Sequence, residues 1–94
     1  FGAREQKVSL AAICPGSGKS VIGKAVELGA DVLITGDIDH HAGIDAMAMG
    51  LCIIDAGHYG LEQIFPIYME ERLKQAWSGL TVLRAEEKNP FWII

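Results

Sequence analysis

Leu51-Cys52-Ile53-Ile54-Asp55-Ala56-Gly57-His58-Tyr59-Gly60-Leu61-Glu62 passes from an unbroken apolar run, through a turn at Ala56-Gly57, into a stretch that sets a histidine and a glutamate four residues apart. Four apolar residues with no polar alternation read as a strand covered on both faces, as strands of parallel sheets are. The pattern recurs upstream, where Asp31-Val32-Leu33-Ile34-Thr35 runs into Gly36-Asp37-Ile38-Asp39-His40-His41. Two further strand-like runs lie at residues 7–13 and 80–84. Between them Val21, Ile22, Ala25, Val26 and Leu28, then Ile44, Met47 and Ala48, then Leu61, Ile64, Phe65, Tyr68, Arg72 and Ala76 recur at helical spacing. Gly29 and Gly50 stand where the first two helices stop. The order β-α-β-α-β-α-β predicts an α/β fold, a mostly parallel four-stranded sheet with helices on its faces, in a single domain over residues 1–94. Right-handed crossovers then gather the strand-to-helix loops along one edge.

Two features sit awkwardly in this scheme. Pro66 lacks an N–H and crowds the carbonyl of Glu62, so either a helix begins near His58 and kinks, or a short turn carries His58 and Glu62 and the main helix starts at about Pro66. The tail Asn89-Pro90-Phe91-Trp92-Ile93-Ile94 is too apolar to stand free in water and is expected to dock on this domain or on a neighbouring subunit.

With 94 residues, 50% of them hydrophobic and 21% charged, the chain has the composition of an ordered domain with one small core. Its net charge of −4 gives no basic footprint, which makes nucleic acid and anionic lipid poor partners and suits cations. No apolar run is long enough to span a membrane and no signal segment opens the chain, so the expected location is the cytoplasm. Cys14 and Cys52 are too few for a disulfide scaffold, and both are expected reduced. The opening at Phe1 reads as the start of a piece of a longer protein.

Chemistry should collect beyond the carboxyl ends of the strands. On a helix, residues i and i+4 share a face, so His58 and Glu62 present an imidazole and a carboxylate to one cation. The plainer alternative is a helix start in which Glu62 complements the dipole. Asp55 is first a cap or turn former, and otherwise a partner that accepts the ring N–H of His58. Of Asp37 and Asp39, Asp39 is the better helix cap, because the helical pattern begins at His40. His40 and His41 diverge by about 100 degrees on a helix, so His41, four residues past Asp37, is the candidate for the site and His40 faces solvent. Oxygen and imidazole donors without a thiolate cluster suit divalent zinc, iron, manganese or nickel without distinguishing them. The loop Cys14-Pro15-Gly16-Ser17-Gly18-Lys19-Ser20 ends like a phosphate-binding loop, but Ile13 stands where the full motif needs glycine. A tight strand-to-helix turn, or a helix start favouring an anionic ligand group, remains open for it.

Taken together, Gly16-Ser17-Gly18-Lys19-Ser20, the stretch Gly29-Ala30-Asp31-Val32-Leu33-Ile34-Thr35-Gly36-Asp37 with His41, and Asp55-Ala56-Gly57-His58 with Glu62 resemble the Nif-three-like dinuclear metal-centre family. Its bacterial members are often called GTP cyclohydrolase I type two homologues. The resemblance implies that His58 and Glu62 are metal ligands; behind them Asp37 and His41, with Asp55 if it is not a cap, are expected to orient ligands, water or substrate. It implies two metal ions per intact site, with the remaining ligands on an N-terminal half of the same protein, and hexameric assembly of intact members. No residue of this segment is assigned a catalytic role of its own. The function expected is the C-terminal part of a dinuclear metal-binding protein, a metal-dependent hydrolase acting on a nucleotide-like substrate. The alternatives are a non-enzymatic metal-binding or assembly module, and a nucleotide-binding domain using residues 16–20.

Overall fold

The computed structural model describes residues 1–92. At its centre is strand β2 (Val32–Gly36), flanked by β1 (Ala11–Ser17) and β3 (Cys52–Asp55) in a three-stranded parallel sheet of order β1-β2-β3. Helix α1 (Ile22–Glu27), preceded by a 3-10 turn at Lys19–Val21, crosses from β1 to β2, and α2 (His40–Ala48) crosses from β2 to β3. Helices α3 (His58–Glu62) and α4 (Ile64–Ala76) follow.

Ile22 and Ala25 of α1, Ala42 and Ala46 of α2, and Leu33, Leu51 and Ile53 form one buried cluster, so both crossover helices cover the same face of the sheet. Burying each of the large aliphatic side chains is worth about 1.5–3 kcal/mol. β2 is covered on both faces along its length, and β3 only over Cys52 and Ile53. On the other face the register aligns Ile13 with Ile34 and Ile34 with Ile54. There Ile13 and Ile54 remain 67% and 53% exposed. The apolar run of β3 is thus buried at Cys52 and Ile53 but open at Ile54, and that of β1 is open at Ile13.

The fourth strand expected at residues 80–84 does not form among the described residues. That segment lies along α4 instead, where Arg84 Nε meets Glu70 Oε2 at 3.2 Å. Beyond β3 the open sheet edge is taken by Phe1, whose ammonium donates to the Ile53 carbonyl at 2.8 Å while the Ile53 N–H donates to the Phe1 carbonyl at 2.9 Å.

The first strand also shifts, from the expected 7–13 to Ala11–Ser17. The N–H groups of Ser9 and Leu10 donate to Asp31 Oδ2 at 2.7 and 2.8 Å, which holds the approach to β1 without sheet pairing. The strand then runs on through Pro15, and its register with β2 slips between Ile13 and Ser17. A proline at an edge-strand irregularity leaves no ladder donor missing.

Pro66 lies in the first turn of α4, where backbone N–H groups have no intrahelical partner, so its missing donor costs nothing. Of the two paths expected at this proline, the chain takes the one with a short helix carrying His58 and Glu62 and a separate main helix after it. In the tail, Phe91 and Trp92 are exposed rather than docked on this domain, and Ile93 and Ile94 lie outside the described residues. Both cysteines are free, Cys52 buried and Cys14 half-buried. No helix among the described residues is long and apolar enough to cross a membrane.

Candidate metal centre

The carboxyl ends of β2 and β3 carry the two loops that build the cluster, and Asp55 ties them together. Its Oδ2 accepts from the Ile38 N–H and its Oδ1 from the Gly57 N–H, each at 2.9 Å. Glycine is required on both sides of this junction. A side chain on Gly36 would run into the backbone of Gly57 and His58, and Gly57 itself has φ 73°. With the loops drawn together, His58 opens α3 and Glu62 closes it one turn later, on the same helix face.

The imidazole is gripped from both sides. Its Nδ1 lies 2.6 Å from Asp37 Oδ2 and its Nε2 lies 3.0 Å from Glu62 Oε1. Asp37 reaches the ring from a left-handed backbone conformation, φ 57°, the one such non-glycine residue among those described. Aspartate tolerates this region better than most residues. All three side chains are about half exposed. The hydrogen bond to Asp37 and the charge of Glu62 together raise the His58 pKa above its ordinary value.

This arrangement cannot be satisfied by a neutral imidazole alone. A neutral ring donates through one nitrogen and turns a lone pair outward at the other. If Nδ1–H donates to Asp37, the Nε2 lone pair faces a carboxylate oxygen across 3.0 Å. A positive charge relieves that opposition, either a proton on the ring or a cation held between Nε2 and Oε1. Metal–ligand bonds of about 2.0–2.2 Å to imidazole and carboxylate can span such a separation. Gly16, whose φ is 70°, passes close to both groups: an added Cβ would come 3.0 Å from Glu62 Oε1 and 3.5 Å from His58 Nε2. The donor set therefore fits a divalent cation but supplies only two ligands. Among the described residues no group of three His, Cys, Asp or Glu side chains closes around one ion.

Other expected site residues fall elsewhere. Asp55 is not the partner of the His58 ring; that place belongs to Asp37, and the Asp55 oxygens serve backbone N–H groups of the two loops. His41 stands exposed on the first turn of α2, its ring edge-on to that of His40 with centroids 5.6 Å apart, and it makes no hydrogen bond to the Asp37, His58 and Glu62 cluster. Asp39 caps α2, its Oδ1 accepting from the Ala42 N–H at 3.0 Å. Its Oδ2 also takes the Lys19 ammonium at 2.6 Å, and that hydrogen bond, with the Ala42 N–H, lowers its pKa to about 2. Residues 14–17 belong to β1 and Lys19 is engaged by Asp39, so the loop is not an open phosphate cradle. Gly16 is the member of this cluster that residue type could not reveal. Its signal was a glycine inside an otherwise strand-forming run, which marks close approach by another group.

The family model described as Duf34/NIF3 (NGG1p interacting factor 3) matches residues 1–90. A Lactococcus lactis protein named GTP cyclohydrolase 1 type 2 homolog is 42% identical over 90 residues, which cover 95% of this chain and 35% of that protein. Among solved structures, a Bacillus cereus protein related to NIF3 superposes with a TM-score of 0.73 at 31% identity, over 99% of this chain and 27% of that one. The Staphylococcus aureus hypothetical protein SA1388 gives 0.78 at 32% identity, again over 99% of this chain and 32% of the other. The chain thus spans about a third of the length of the relatives it matches.

Proposed function

Since this chain belongs to the Duf34/NIF3 family, we propose that it supplies half of a two-metal site in a longer protein, with His58 and Glu62 as metal ligands and Asp37 holding the imidazole. The observation that carries this reading is the opposition of His58 Nε2 and Glu62 Oε1 at 3.0 Å, with Asp37 fixing the far nitrogen. A carboxylate on the distal ring nitrogen sets the tautomer and the ring plane and makes the free nitrogen a stronger donor. Asp55 contributes indirectly, by holding the loop of Asp37 against the start of α3. His41, exposed at the start of α2, is assigned to substrate or to the remainder of the protein rather than to the ion.

The remaining ligands, on this reading, come from an N-terminal half of the same protein, and the intact protein is a homo-oligomer, a hexamer by family resemblance. The ions are divalent zinc, iron, manganese or nickel, and bound as a pair they activate water and polarise a substrate. On this reading the protein is a metal-dependent hydrolase, and the name carried by the relatives supports a nucleotide-like substrate. A second reading, an ion that holds subunits together without catalysis, draws on one observation. Asp37, His58 and Glu62 are all engaged with one another, which leaves none of them free as a general base.

Metal analysis of the full-length protein tests the ligand assignment. His58→Ala or Glu62→Ala is expected to lower bound metal by at least about half while the fold survives, because both side chains are half exposed and outside the core. Unchanged stoichiometry by elemental analysis in both variants would overturn it. Activity then separates the two readings, since an assembly ion is fully ligated by protein whereas a catalytic one keeps a position open.

A further inference from the structure

Beside Glu62 lies a cavity of about 370 Å³ lined by Pro15, Leu61, Glu62, Phe65, Pro66 and Glu87. We propose that it seats a flat aromatic ring carrying N–H donors, neutral or cationic, that donates to carboxylate, and that it excludes anions. Its use as a substrate pocket rests on the reading of His58 and Glu62 as metal ligands; its selectivity against anions is that of the metal-free protein.

The volume falls in the range of small-molecule sites. Its apolar walls come from three elements: Pro15 near the end of β1, Leu61 on α3, and Phe65 with Pro66 on the first turn of α4. Phe65 is 63% exposed, so its ring is available for stacking rather than spent on the core. The rim segment is held in place by the Tyr59 hydroxyl, which donates to the Glu87 carbonyl at 3.3 Å.

Charge decides the occupant. The lining includes two glutamates and no lysine, arginine or histidine. Among the described residues the Glu87 carboxylate has neither a hydrogen-bond nor an ion-pair partner, and no cation other than His58 meets Glu62. A phosphate or carboxylate entering here would meet like charge, in a chain whose net charge is already −4. An N–H donor on a flat ring meets complementary charge and apolar faces together, and hydrogen bonds to an ionised acceptor are the stronger kind. If the substrate is a nucleotide, the base end belongs in this cavity and the phosphates lie outside it.

Benzamidinium, benzamide and benzoate share one ring and differ in charge, so titrating each into the full-length protein stripped of metal, followed by NMR, tests the proposal. Benzamidinium and benzamide are expected to shift the Leu61 and Phe65 signals saturably, and benzoate at equal concentration to leave them in place. Phe65→Ala and Glu87→Gln should each weaken benzamidinium by about tenfold. Glu87→Gln changes an exposed group and keeps the test intact if Phe65→Ala misfolds. Binding of benzoate as tight as benzamidinium, absence of saturable shifts, or full affinity in the folded variants would overturn the proposal. His58→Ala separates it from the metal reading. Retained ring binding with lost metal supports both; lost ring selectivity in the parent chain sinks only the cavity; and unchanged metal with intact ring binding sinks only the ligand assignment.

Discussion

Asp37 answers to two demands that can be separated by substitution. Its backbone sits at φ 57°, which costs a non-glycine residue on the order of 1 kcal/mol, and its carboxylate holds the ring of His58. Asp37→Gly removes the backbone cost and the carboxylate together. Stability by urea unfolding should then stay within about 1 kcal/mol of the parent, while metal affinity of the full-length protein falls by about 10–100-fold. Asp37→Asn keeps the backbone tolerance and the shape but loses the charge, and should fall between the two in affinity. Equal affinity in all three proteins would remove Asp37 from the site. At this scale the sequence was legible where spacing alone carries the message: His58 and Glu62 meet because a helix repeats every 3.6 residues. It was illegible where a partner comes from another loop. Nothing local distinguishes Asp37 from Asp55 as the partner of His58, because that choice depends on how the loops after β2 and β3 close on each other.

The start of α2 shows how much an element's boundary can be read from residue type. Asp39 precedes the first helical residue and caps it, as its short acceptor side chain leads one to expect. The ion pair with Lys19, twenty residues away, was not readable, and it adds a pH dependence to the element. The folded-state pKa of Asp39, about 2, lies below its ordinary value of 3.8, so its contribution to stability is present above the higher value and is lost as pH falls through the lower one. Asp31, lowered by the N–H groups of Leu10 and Ser9, acts in the same direction. Urea midpoints measured from pH 5 to about pH 2 should therefore decline. The decline should be shallower in Asp39→Asn, which keeps the cap acceptor without titrating. Parallel curves for parent and variant would show that the Lys19 contact contributes nothing in solution. The misread fourth strand marks the opposite limit. Residues 80–84 have strand-like composition, but composition does not bring a segment to a sheet edge: these residues run beside α4, tied through Arg84 and Glu70, while Phe1 lies on β3.

Over the whole molecule, shape and surface point the same way. The radius of gyration is 16.4 Å, and the extents are 51 × 34 × 24 Å. A compact domain of this length would have a radius near about 12 Å. The excess goes with exposed apolar residues: Ile13 and Ile54 on the sheet face away from α1 and α2, Phe65 on α4, and Trp77, Leu83 and Trp92 beyond. The proposed longer, oligomeric protein would cover this surface. The proposed split site makes the same demand chemically. Complete structural zinc sites are worth roughly 10–16 kcal/mol of binding, shared among four donors. With two donors at Nε2 and Oε1, the 94-residue chain should bind zinc weaker than the full-length protein by on the order of 1,000-fold or more. Titration of both proteins against a competing chelator at one pH measures the difference. Tight stoichiometric binding by the 94 residues alone would mean that the described donors suffice. The ligands assigned to the rest of the protein, and with them the two-metal reading, would then have to be given up.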